Sequence, residues 1–188
     1  DLIVSRGLGD VYKRQTISDP VSNVWLEGGP ARTRVVKTST NKWYMWGKNY
    51  EGSAFGTILG ETDNKTTPFE VTSAFTTRFG AQGASDSTRI IKVVISTYAS
   101  TALAANGKVW SWGKDGSLNE LGNNTDTTTA IPFKNTTDGS TELSDIVDIG
   151  SFHYGKIALD SNGDVWLWGR LRTGSNARPT KQSGLDSI

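Results

Sequence analysis

Few residues in this chain have the types and spacing that chemistry uses. His153 is the only histidine among 188 residues. It excludes a histidine-based metal cluster, and any nucleophile–histidine pair would have to use it. Such a base must be oriented by a third group, and the reading favoured for His153 is structural. Asp160 and Asp164 form a carboxylate pair, but they flank Asn162-Gly163 and read as solvated turn residues rather than an acid and a base. "DNKTT" (Asp63 to Thr67) and "NNTDTTT" (Asn123 to Thr129) offer oxygens to calcium without the alternating acidic spacing of a calcium loop. Arg170, Arg172, Arg178 and Lys181 make a basic cluster that reads as a solvated rim before it reads as a phosphate site. "SRGLGDVYKRQ", Ser5 to Gln15, has glycines spaced like a phosphate loop. No strand pattern precedes it and no helix pattern follows, as such a loop would need. No catalytic, cofactor or metal residue is therefore assigned, no cofactor is expected, and the partner-binding residues are not legible.

The elements that would position these residues are strands. Hydrophobic residues make up 35% of the chain, with seven Trp and 21 Gly, and Thr, Ser and Asn are plentiful. That profile suits short strands and many turns. Cysteine is absent, which excludes disulfides and thiolate metal sites. The formal net charge is +1 without a polybasic block, so electrostatics gives no reason to expect a nucleic-acid partner. No apolar run approaches the roughly 20 residues of a membrane helix.

The chain repeats itself. "IIKVVISTYASTALAANGKVWSWG" (Ile90 to Gly113) aligns without a gap on "IVDIGSFHYGKIALDSNGDVWLWG" (Ile146 to Gly169). A fainter copy is "VWLEGGPARTRVVKTSTNKWYMWG", Val24 to Gly47. Each copy holds two short apolar runs around a turn. Asn106-Gly107 and Asn162-Gly163 are strong hairpin signals, because the tight turn needs positive φ. In the first copy Asn41 must take the left-handed position without glycine, which predicts the weakest hairpin. "VWLWG" is apolar on both faces, so it should be covered on both faces. A small sheet stacked between sheets like itself is a propeller blade. Trp110 and Trp166 are expected to anchor their blades.

Gly150, His153, Ala158, Leu159, Asn162, Gly163, Val165, Trp166, Trp168 and Gly169, followed in the second copy by "NELG" (Asn119 to Gly122) and Pro132, resemble the regulator of chromosome condensation repeat. In the first copy "GSAFGTILG" and Pro68 play the same part. The resemblance implies an all-β fold, a partial β-propeller of about three four-stranded antiparallel blades, where the family's ring usually has seven. The repeats would lie at about 24–89, 90–145 and 146–187. Val94 and Thr97 depart from the family's Gly and His. "RLRTGSNARP" (Arg170 to Pro179) replaces the usual long loop and leaves the third repeat's fourth strand in doubt. Ala74 to Arg89 has no counterpart and is expected to be an extended loop.

Leu185-Asp186-Ser187-Ile188 matches Leu143-Ser144-Asp145-Ile146, so a further repeat is expected to begin there. Back-translated, Ser5 to Gln15 resembles a sequencing adapter. Residues 1–15 are therefore expected to be non-native, and 16–188 to be a propeller fragment. The resemblance implies a non-enzymatic interaction scaffold with a protein or surface-glycan partner. The composition leans toward a bacterial surface or virion protein. Family members also include an exchange factor for a small GTPase and a secreted β-lactamase inhibitor, which are the alternative readings.

Overall fold

The computed structural model describes residues 17, 19–26, 33–49, 64–114, 118–124, 129–172 and 174–183. The segment 1–15 lies outside these residues, as do 52–60, 125–128 and 185–188. Three four-stranded antiparallel sheets follow one another along the chain. The first contains β1 (Val21–Leu26), β2 (Arg34–Thr38), β3 (Trp43–Gly47) and β4 (Lys65–Glu70). A helix, α1 (Thr72–Phe79), leads to β5 (Ile90–Ile95), β6 (Ala99–Ala104), β7 (Val109–Gly113) and β8 (Thr129–Lys134). The third sheet is β9 (Ile146–Phe152), β10 (Gly155–Asp160), β11 (Val165–Leu171) and β12 (Gly174–Lys181). Each is a simple meander, and together they form a partial β-propeller.

The repeat explains the shared geometry. Each central hairpin closes over the expected turn, with Asn41 at φ 62°, Gly107 at 74° and Gly163 at 89°. Each third strand shifts register at its Trp-Gly: between Met45 and Gly47, Ser111 and Gly113, Leu167 and Gly169. The glycine takes φ of 118°, 118° and 92° there, a conformation that costs other residues energy. At Gly169 a Cβ would meet the Tyr154 carbonyl oxygen at 2.4 Å. The recurring Trp-Gly is thus a bulge that turns the third strand toward the fourth.

Two expectations are corrected. The third blade has a full fourth strand. β12 pairs with β11 from Leu171↔Gly174 to Trp166↔Lys181, and the Gln182 amide closes on the Val165 carbonyl at 2.8 Å. Asn135 and Val71 make the same closure on Val109 and Trp43 in the other blades. The shorter connection simply becomes a tight hairpin. Nor is the stretch from Ala74 an extended loop throughout, since α1 runs to Phe79. Its threonines are poor helix formers and Val71 supplies no side-chain cap. The helix holds because Phe75 and Phe79, one turn apart, are buried together against Trp43, Trp110 and Trp112. Gly80, at φ 102°, ends it.

The core lies in the seams between blades. At the first, Val35, Trp43 and Met45 of blade one meet Val93, Ile95, Ala102 and Trp112 of blade two, with α1 between them. At the second, Val94, Leu103 and Val109 of blade two meet Ile146, Ile149, Ala158 and Trp168 of blade three. The tryptophan anchors differ from expectation. Among the described side chains Trp43, Trp112 and Trp168 are the fully buried tryptophans, whereas Trp110 and Trp166 are half-buried. Strand alternation puts both tryptophans of each strand on the same seam face, Trp112 and Trp168 in the core beside the bulge and Trp110 and Trp166 packed at its edge nearer the turn.

Candidate functional site

The residues with chemical potential gather at the second seam, in its centre and at its two ends. At the centre, Lys156 of β10 is completely buried. Its Nζ donates to Ser96 Oγ and, at 3.1 Å, to the Ala99 carbonyl. Ser96 donates in turn to Glu120 Oε2, which also accepts the Tyr98 amide at 3.3 Å. Burial pushes the Glu120 carboxyl up, and Lys156, Ser96, the Tyr98 amide and His153 pull it back only in part. A serine beside a lysine amine can be a nucleophile and its base. Here the hydroxyl lies between the amine and the Glu120 carboxyl in a seam closed to solvent, with no space beside it for a substrate. The triad is a polar pin through two blades. Sequence reasoning missed it, although a signal existed. Lys156 stands where the second blade has Ser100, each opposite the buried tryptophan of its blade.

One end of the seam carries an aromatic ledge. His153 and Tyr154 form the β9–β10 turn, and their rings stack at 3.8 Å between centroids. Tyr154 lies nearly parallel to Tyr98 of the neighbouring blade, at 6.1 Å and 13°. Thr97 fastens the two turns by donating its amide and hydroxyl to the His153 carbonyl, at 3.1 and 2.7 Å. His153 itself is exposed, as is Phe152 beside it. The histidine is thus a surface aromatic whose backbone joins the blades.

The other end carries the hairpin turns and a cleft of about 290 Å³. Asp160 is buried, not solvated as expected. Its Oδ1 accepts the Asn162 and Asp164 amides at 2.9 Å each, and its Oδ2 accepts Trp166 Nε1 at 3.0 Å. Burial would raise its pKa, but these three donors outweigh it and hold the carboxyl below the usual range. Asp164 pairs with Lys181 at 2.5 Å. The two carboxylates therefore organise a turn.

The supposed basic cluster is dispersed. Arg170 lies opposite Ser175 near the β11–β12 turn, whereas Lys181 lies opposite Trp166 at the far end of the same strand pair. Arg178 donates to Thr136 Oγ1 at 2.9 Å. The candidate calcium stretches fall partly outside the described residues, and Lys65 to Thr67 run in β4. Among the described residues no group of acidic or histidine side chains has metal-binding geometry. No described helix is long and apolar enough to cross a membrane.

Three meandering four-stranded blades, stacked face to face, define a partial β-propeller. Solved structures carry the same fold. Human WBSCR16 superposes with a TM-score of 0.60 at 18% identity, over 92% of this chain and 40% of that one. Prp20p of Saccharomyces cerevisiae, whose structure was described with its binding to Gsp1p and histones, gives 0.62 at 16% identity, over 89% and 39%. The chain thus spans about two fifths of the structures it matches. No protein-family model matches the sequence, and a search of curated proteins returns no match.

Proposed function

We propose that this chain is part of a larger β-propeller that works as a non-enzymatic interaction scaffold for proteins. One observation carries the reading: the outer face of blade three repeats a seam face. Leu103 is buried in the second seam at 1% exposure, and its counterpart Leu159 is 39% exposed. Thr101 is buried and its counterpart Ile157 is 39% exposed, while Val147 reaches 53%. In blade one the same positions, Val35 and Lys37, are buried too. A face that is covered twice and open the third time suits a further blade of the same pattern.

Stacked blades hold their turns rigidly at two ends, and binding residues tend to lie on loops held that way. The ledge of Phe152, His153, Tyr154 and Tyr98 is the surface suited to a protein partner, since aromatic residues dominate the energetics of such contacts. The protein partners named for Prp20p agree with this reading without fixing the partner here. The test is binding to an immobilised small GTPase, a β-lactamase and a glycan array, with Tyr154→Ala as the control. Saturable protein binding weakened by that substitution supports the scaffold. Accelerated nucleotide release from the GTPase would turn the reading to an exchange factor, and glycan binding alone would overturn the protein partner.

A further inference from the structure

Two of the central hairpins turn on the same dipeptide, Asn106-Gly107 in blade two and Asn162-Gly163 in blade three. In each, the glycine amide donates to the carbonyl three residues back, at 3.0 Å to Ala104 and 3.1 Å to Asp160. The backbone bonding of the two turns is therefore alike, but the asparagine side chains are used differently. The amide entering each third strand takes a side-chain acceptor, and each blade supplies a different one. In blade one Thr38 Oγ1 accepts the Lys42 amide at 3.1 Å. In blade two Ala104 has nothing to offer at that position, and Asn106 Oδ1 accepts the Lys108 amide at 3.2 Å. In blade three Asp160 Oδ1 accepts the Asp164 amide at 2.9 Å.

Asp160 thus takes over the task that Asn106 performs. Asn162 is exposed, and its side chain makes no hydrogen bond among the described residues. The glycines differ as well. A Cβ on Gly107 would meet the Asp145 backbone at 3.0 Å, and the Gly107 carbonyl accepts the Ile146 amide at 3.2 Å. Among the described residues nothing lies within 4 Å of the same point on Gly163.

We propose that Asn162 is a site of spontaneous deamidation and isomerisation, and that Asn106 is shielded from the same reaction. Asparagine is a thermolabile residue, and a following glycine has no side chain to crowd its nitrogen. The Gly163 nitrogen attacks Asn162 Cγ and closes a five-membered imide. The Cγ–Nδ2 bond breaks, and ammonia leaves with the proton that the glycine nitrogen gives up. One water then adds to either imide carbonyl and breaks its bond to the Gly163 nitrogen. Opening at Cγ gives Asp. Opening at the main-chain carbonyl gives isoaspartate, whose backbone runs through Cβ. No electrons are exchanged, and water is the only co-reactant. Both turns must release the glycine amide, so that cost cancels between them. Asn106 must also release the Lys108 amide and shift a glycine packed on Asp145. Isoaspartate at position 162 lengthens the turn by one main-chain atom and disturbs the two amides that Asp160 Oδ1 accepts. The inference is independent of the scaffold reading.

The experiment ages the full chain in warm neutral buffer, folded in one sample and in urea in the other, and digests both with trypsin at mildly acid pH. Cleavage after lysine and arginine leaves each asparagine alone in its peptide: residues 93–108 carry Asn106 and residues 157–170 carry Asn162. Chromatography with mass spectrometry then counts the amide, Asp and isoaspartate forms of each peptide. In the folded chain Asn162 should convert at least about fivefold faster than Asn106, the factor for one additional hydrogen bond to break. Its products should include isoaspartate, the mark of the imide. In urea the two rates should converge, because the dipeptide is the same. Equal rates in the folded chain, a faster Asn106, no conversion of Asn162 in the folded chain, the same ratio in urea, or Asp without isoaspartate would each overturn the proposal.

Discussion

Replacing Lys156 by Met removes one member of the buried pin while keeping most of its volume. Glu120 then remains in the sealed seam with Ser96 and the Tyr98 amide but no cation. Breaking a buried pair from one side costs about 3–5 kcal/mol. A domain of this size is stable by roughly 5–15 kcal/mol, so the loss is a large part of the total. Glu120→Gln should also destabilise, because it removes the acidic neighbour of the buried Lys156 side chain. The double variant should be less destabilised than the sum of the singles by about 2 kcal/mol or more, since neither charge is left behind. Urea melts of the four proteins at pH 7 give the cycle. The pH dependence identifies the cause. Burial already holds the Glu120 carboxyl above its usual range, and removing the lysine raises it further. A carboxyl whose folded pKa exceeds its unfolded one costs stability at high pH. That cost is relieved as pH falls through the folded pKa toward the unfolded one. Lys156→Met should therefore recover part of its loss, relative to the parent, between pH 7 and pH 5. Additive singles, or a loss independent of pH, would show that Lys156 contributes only packing.

Trp168→Ala should cost about 3–5 kcal/mol in the same assay, and Trp166→Ala clearly less, because only the first is fully buried. Leu103→Ala should cost about 2–5 kcal/mol and Leu159→Ala under about 1 kcal/mol, although the two positions are equivalent in the repeat. Phe79→Ala should destabilise by about 3–5 kcal/mol and lower the helical circular dichroism signal, since α1 has little to hold it except its two phenylalanines. Asp160, held below its usual pKa, stabilises the third hairpin above its unfolded pKa and should cease to do so as pH falls through its folded value. The stability difference between parent and Asp160→Asn should accordingly shrink at strongly acid pH.

The repeat made the architecture legible. Asn-Gly marked the hairpins because few residues tolerate positive φ, and Trp-Gly marked the bulge for the same reason. Properties set by distant contacts were not legible. The "TSAFTTRF" segment has weak helical propensity, and only burial of Phe75 and Phe79 against tryptophans some 30 residues away makes it a helix. "GSNARPTK" reads as a loop by composition, yet β11 supplies a partner edge and makes it a strand. Lys156 and Glu120 read as ordinary surface charges until the blades are brought face to face.

The stacking of blades is tested most directly by light scattering of the isolated chain over a wide concentration range. The apolar outer face of blade three, formed around Val147, Ile157 and Leu159, should drive self-association when no further blade covers it. The expected result is an apparent mass that rises with concentration in the parent and stays monomeric in the Ile157→Lys, Leu159→Lys double variant. A parent that is monomeric at every concentration and melts in one cooperative transition would contradict the account, because the exposed face would then need no partner blade.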